Sequence, residues 1–129
     1  MGAVGKKLRR AVGQGTVSLM HWCPACDEPH GIRISGPAPT WAFNQDYDAP
    51  SFHPSVLCFT TFDHEGMPLP FGQKRTLCHY FLHRGSELKQ HGANLEPKRS
   101  YISYCGDCPH EMRGKIVELP DWPGGDEDE

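Results

Sequence analysis

Short apolar and β-branched runs dominate the hydrophobic pattern, and Gly or Pro interrupts nearly every window long enough to show a helical period. Runs of this kind, bounded by turn residues, are typical of β-strands. They predict strands over 17–22, 31–34, 40–44, 55–62, 76–83, 98–104 and 114–119. The predicted fold class is therefore mostly β, a small β-sandwich or a barrel-like antiparallel sheet, with few short helices.

Composition and charge limit the domain organisation and the class of partner. The chain has 129 residues and a formal net charge of -3, so a single domain is expected. Basic residues cluster near the start and acidic residues at the end. We predict a flexible basic arm over 1–15, one β-rich domain over 16–123 and a disordered acidic tail over 124–129. A pI near 6.2 makes nucleic acid an unlikely general partner.

The hydrophobic pattern also bears on location. No apolar run approaches the roughly 18 residues of a membrane-spanning helix, and the run over 16–22 is too short for a secretory signal. We therefore expect a cytoplasmic protein without membrane contact.

Four of the six cysteines form two C-x-x-C pairs, Cys23 with Cys26 and Cys105 with Cys108. A two-residue gap lets both sulfur atoms of a tight turn point at one ion, and two such pairs complete the tetrahedral thiolate set of a structural zinc. The sequence therefore predicts a zinc-stabilised domain with Cys23, Cys26, Cys105 and Cys108 as ligands. Such a closed site holds the fold together and leaves no position for a reacting water.

Other interpretations of the cysteines stay open. A disulfide framework needs an oxidising compartment, a thioredoxin-like motif needs a βαβ context, and the cysteines could also be buried free thiols. Neither that compartment nor that context is indicated by the sequence. Three further residues could replace one of the zinc ligands: His30, Cys78 and His110.

Two dipeptides, Cys78-His79 and Asp107-Cys108, suggest a second constellation. Adjacent side chains of an extended strand point to opposite faces, so one arrangement puts both cysteines on one face and His79 with Asp107 on the other. His79 would then be a base oriented by a carboxylate, with His110 as the rival base. Ser55, at a loop-to-strand junction, is the better placed nucleophile, although a serine after a proline is also an ordinary turn residue.

These motifs, in this order, resemble a family of small phage and prophage proteins of unknown function, often mislabelled as ammonia monooxygenases. The family includes the serine peptidase, called BubE, of bacterial ubiquitination-like Bub operons. The segments that carry the resemblance are 21–26 with His30, Trp41 with Asn44, 50–57, 78–81, 107–110, Gly114 and 119–122. They span roughly positions 20 to 122.

The resemblance implies a serine peptidase that cleaves the C-terminal tail or the conjugates of a ubiquitin-like protein, in a setting of phage defence. It favours Ser55 over Ser51 as the nucleophile, with His79 and Asp107 completing the triad. For the fourth zinc ligand it favours Cys78, whereas local spacing favours Cys105. Two alternatives remain: a non-catalytic zinc-ribbon-like module of phage origin that binds protein or nucleic acid, and a metalloenzyme with an open zinc position.

Overall fold

The computed structural model describes residues 2–63, 65–88 and 95–123, and its fold is mostly antiparallel β. One sheet contains four strands that pair in chain order. They are β1 (Gly2–Val4), β2 (Leu8–Gly13), β3 (Thr16–Cys23) and β4 (Glu28–Ser35). The left-handed backbone of Gln14 and Gly15 makes the tight turn that connects β2 to β3.

The second sheet also has four antiparallel strands, in the order β10-β9-β8-β7. They are β7 (Val56–Thr60), β8 (Arg75–Arg84), β9 (Ser100–Tyr104) and β10 (Ile116–Glu118). Between the two sheets in sequence, β5 (Ala42–Phe43) and β6 (Phe52–His53) form a small ribbon, and a 3₁₀ turn (Gly85–Glu87) follows β8. The described strands do not close into a barrel.

The two sheets bury one shared core. On β3 the buried residues alternate with less buried ones, and the same alternation on β8 buries Cys78, Tyr80 and Leu82. Leu19 from the first sheet belongs to the same buried cluster as Leu82 from the second. The alternation therefore turns one face of each sheet inward. Each predicted strand overlaps an observed one, and β1, β2 and β6 were not predicted.

The basic N-terminal segment is a part of the first sheet, and the prediction of a flexible arm over 1–15 differs from the structure there. β2 pairs with β3 along its whole length, and Leu8 is fully buried. Arg9 is also buried, with its guanidinium carbon 5.0 Å from the centre of the Trp122 ring. Charge suggested a solvated segment, but strand pairing and a cation–π contact bury Leu8 and Arg9, while the other described residues of 2–15 are exposed or half-buried.

Two further expectations concern the termini and the membrane. The predicted acidic tail over 124–129 lies outside the described residues. Within the described part of the chain, no helix combines the length and the apolar character needed to cross a membrane.

Candidate active site and metal-binding cluster

Ser55, His79 and Asp107 come together at one side of the second sheet. Ser55 directly precedes β7, His79 lies on β8, and Asp107 lies in the turn after β9. Ser55 Oγ is 3.3 Å from His79 Nε2, and His79 Nδ1 is 3.0 Å from Asp107 Oδ1. The register of β7 on β8 sets Leu57 opposite His79, which leaves Ser55 within reach of the imidazole.

The two nitrogens of His79 therefore contact different partners. A proton on Nδ1 can be donated to Asp107, and Nε2 is then free to accept the hydroxyl proton of Ser55. The hydrogen bond with His79 lowers the pKa of Asp107, so this carboxyl stays charged to a more acidic pH than usual. Chemically, the arrangement is that of a nucleophile, a base and an orienting carboxylate.

Neighbouring residues contact the backbone carbonyls of Ser55 and His79. The indole N–H of Trp41 donates to the carbonyl of Ser55 at 3.0 Å. The carbonyl of His79 accepts from the thiol of Cys108 at 2.8 Å and from the backbone N–H of Cys105 at 2.9 Å. The turn that carries Asp107 is thus tied to the strand residue that Asp107 contacts. Trp41, which contacts Ser55 in this way, was indicated by the sequence only through the resemblance.

A second serine, Ser51, has a different environment. Its buried hydroxyl donates to Glu87 Oε1 at 2.6 Å and lies 3.3 Å from His53 Nε2. The same Nε2 is also 3.1 Å from Glu87 Oε2. His53 Nε2 therefore contacts both Ser51 and Glu87, and the hydroxyl proton of Ser51 is donated to the Glu87 carboxylate. This cluster fastens the loop before β7 to the 3₁₀ turn and does not have the arrangement of a nucleophile and its base.

Glu87 was not indicated by the sequence as a part of any site. Burial alone would raise its pKa, but hydrogen bonds from the Ser51 hydroxyl, the Arg84 backbone N–H and the His53 imidazole lower it overall. The carboxylate is therefore the charged centre of this cluster. Its distance from Ser51 in the chain leaves no local spacing signal that could have found it.

A separate group of side chains has the composition of a metal site. Cys23, Cys26, His30 and Cys78 each offer a ligand atom, and these atoms all lie within 4.8 Å of one another. Cys23 and Cys78 Sγ are 4.0 Å apart. A hydrogen bond from Asp27 N to the Cys23 carbonyl closes the turn of the first C-x-x-C pair. The cluster joins the end of β3, β4 and β8, so it bridges the two sheets.

The donor set fits a zinc ion. Three thiols with one imidazole form one of the usual structural zinc sites, and three of the four side chains are buried. His30 Nε2 is buried without a hydrogen-bond partner among the described residues. The hydrogen bond with Cys26 lowers the pKa of Cys23, whereas the one with Cys23 raises the pKa of Cys78. A bound cation would favour the thiolate form of these cysteines, which is the form that coordinates a metal.

The expected set of Cys23, Cys26, Cys105 and Cys108 is not brought together. Cys105 instead groups with His79 and Asp107, and Cys108 with Cys78 and His110. The reason is that the turn carrying the second C-x-x-C pair is anchored on the backbone of His79, while Cys78 points inward from the adjacent position of β8. Cys78 and His30, the alternatives left open by the sequence, stand beside Cys23 and Cys26.

The rival base, His110, contacts the cysteines and not the serine. Its Nε2 is 3.4 Å from Cys78 Sγ, and its Nδ1 accepts a hydrogen bond from the backbone N–H of Met112. Both nitrogens are therefore engaged away from Ser55.

Comparison with known proteins matches the chain to one family model. A family model described as bacterial ubiquitination-like system serine protease (BubE) matches residues 5–87, more than half of the chain. The matched segment contains Ser55, His79 and the Cys23 cluster, and it ends before Asp107. The chain matches none of the curated proteins and none of the solved structures.

Proposed function

The chain belongs to the family of bacterial ubiquitination-like system serine proteases (BubE), and on that premise we propose that it hydrolyses the C-terminal tail, or the conjugates, of a ubiquitin-like protein with Ser55 as nucleophile. The observation that carries the proposal is the line of contacts from Ser55 Oγ to His79 and on to Asp107.

In the proposed reaction, His79 Nε2 takes the hydroxyl proton of Ser55 while the oxygen attacks the carbonyl carbon of the scissile bond. Asp107 keeps the other ring proton on Nδ1 and stabilises the imidazolium that forms. His79 then gives its proton to the departing amine, which leaves an acyl-enzyme. A water molecule, deprotonated by His79, hydrolyses the ester and releases the tail carboxylate and Ser55. The 3.3 Å distance between Ser55 and His79 is within the range expected before substrate is bound.

The surroundings of Ser55 suit an extended peptide. β7 stands at the end of the strand order β10-β9-β8-β7, so one edge is not paired with another described strand. A flexible tail can add to such an edge through main-chain hydrogen bonds. Leu57 pairs with His79 and shares its face of the sheet, as does Phe81, two positions further along β8. Both are exposed, so apolar side chains of the substrate would find contacts beside the base.

We also propose that the Cys23, Cys26, His30 and Cys78 cluster holds a structural zinc. Bound there, the ion would supply a cross-link between the two sheets, with its four protein ligands leaving no position for a reacting water. Cys78 neighbours His79 on β8, so the same cross-link would steady the strand that carries the base. The six cysteines are free thiols, and thiol ligands persist where thiols stay reduced, so we place the reaction in the cytoplasm. Phage defence stays a prediction of the resemblance.

The test of this function is labelling by a fluorophosphonate probe, which reacts with activated serines. Wild type should be labelled, Ser55→Ala should not, and the matched variant Ser51→Ala should keep its labelling if circular dichroism shows that it is folded. Cleavage of a ubiquitin-like protein fused to a short C-terminal extension, with product masses measured, then identifies the bond. A folded, zinc-loaded wild type that is neither labelled nor active would favour a binding module.

A further inference from the structure

One group of ligand-type side chains is left unexplained by the hydrolysis and by the buried cluster. His79, Cys105 and Asp107 each offer a ligand atom, and these atoms lie within 4.8 Å of one another. The Cys105 side chain has no part in the proposed reaction, since Cys105 supports His79 only through its backbone N–H. Its thiol is only partly buried, and the Asp107 side chain is 65% exposed. The group is therefore open to solvent.

We propose that His79, Cys105 and Asp107 form a second, exchangeable site for Zn²⁺, and that its occupation switches the peptidase off. This inference rests on the proposed function for its inhibitory effect. A thiolate, an imidazole and a carboxylate are all zinc ligands, and three protein ligands leave one tetrahedral position for water. With fewer ligands and more exposure than the Cys23 cluster, this site should bind more weakly and exchange its ion with solvent.

Occupation would block the base whichever nitrogen the ion takes. An ion on Nε2 uses the lone pair that must accept the proton of Ser55. An ion on Nδ1 displaces the proton that His79 shares with Asp107, so the neutral ring must carry its proton on Nε2 and cannot accept another there. In both cases Asp107 is also drawn to the cation. Zinc bound here is thus an inhibitor, in contrast to the stabilising ion proposed for the buried cluster.

The binding arm of the test needs no activity. Zinc would be titrated by calorimetry into protein that already carries one equivalent, as established by metal analysis. Wild type should take up a second equivalent, and Cys105→Ala should bind it at least tenfold more weakly or not at all. His53→Ala removes an exposed imidazole outside this group and should leave the second equivalent in place. Equal uptake by wild type and Cys105→Ala would overturn the site.

The functional arm uses the rate of fluorophosphonate labelling at buffered free zinc. Wild type should be inhibited as the second equivalent binds, whereas Cys105→Ala, with each protein compared with its own zinc-free labelling rate, should need at least tenfold more zinc for half inhibition. Equal inhibition of both would overturn the switch. If a folded wild type never labels, the proposed function fails, and uptake that depends on Cys105 still supports the cation site.

Discussion

Cys108 holds both backbone polar groups of His79: its thiol donates to the His79 carbonyl at 2.8 Å, and its sulfur accepts from the His79 N–H at 3.2 Å. The residue beside the orienting carboxylate thus fixes the backbone of the proposed base. The backbone of the turn that carries Asp107 is thereby attached to His79, although the Asp107 side chain itself is largely exposed.

Replacing Cys108 should therefore reduce activity through position alone. Cys108→Ala removes two hydrogen bonds, each worth about 1 kcal/mol, and we expect a roughly tenfold or greater loss in the rate of fluorophosphonate labelling. Cys108→Ser keeps a group that both donates and accepts, so it should recover much of that loss. The measurement is the labelling rate, with the melting temperature recorded alongside. If serine and alanine behave alike, the backbone contact is not what matters.

Asp107→Asn tests the orienting role of the carboxylate. An amide can offer its N–H to His79 Nδ1 and stabilise the tautomer with the proton on Nε2, which cannot accept from Ser55. We expect kcat to fall by at least about 10²-fold with little change in stability, because the side chain is exposed. Glu111→Gln is the matched control, an exposed carboxylate a few residues away. Unchanged turnover in Asp107→Asn would remove Asp107 from the site.

Loss of the buried metal should cost stability first and activity as a consequence. Chelation, or the Cys78→Ser substitution, removes the proposed cross-link between the sheets, and we expect the melting temperature to fall by roughly 10 °C or more. Cys105 lies outside the Cys23 cluster, so Cys105→Ala should have a melting temperature close to that of wild type. Thermal unfolding with zinc analysis of each variant decides the ligand set. A large loss of bound zinc in Cys105→Ala with none in Cys78→Ser would return the site to the spacing-based prediction.

The lowered pKa of Glu87 predicts a pH-dependent stability. Because its pKa is lower in the folded chain, its contribution is present above the unfolded-state pKa and is lost as pH falls through the folded-state pKa. Glu87→Gln should thus be less stable than wild type near neutral pH, by about 1 kcal/mol since solvent screens this partly exposed group. The difference should shrink in acid. Urea denaturation across pH measures it, and a constant difference would contradict the assignment.

Substitution of the exposed apolar side chains beside His79 should affect a protein substrate but not the small fluorophosphonate probe. Phe81→Ser and Leu57→Ser should raise KM for a ubiquitin-like protein fusion several-fold, since each removes apolar contact area, while the labelling rate with the small probe stays near wild type. Val12→Ser, an exposed apolar residue on β2 of the other sheet, is the control. Equal effects on fusion and probe would mean that these residues support the site and do not contact substrate.

The short apolar and β-branched runs of the sequence already determined much of this protein, because they predicted the central strands. The alternation of side chains along a strand then set Cys78 and His79 on opposite faces of β8, because adjacent residues of a strand cannot share a face. Ser55 could be preferred to Ser51 on sequence grounds, through its place at a strand start and through the resemblance. The strand positions and the face on which each side chain lies are local properties, which follow from the two-residue period of a β-strand.

Tertiary structure decided which of these residues meet. Spacing alone pairs Cys105 with Cys108, but it cannot tell on which side of β8 their turn lies, and the hydrogen bonds to His79 decide that. The burial of Leu8 and Arg9 at the start of β2 depends likewise on strand pairing and on Trp122 from the far end of the chain. Such contacts join residues distant in sequence, and their energies come from burial and pairing that no local window contains.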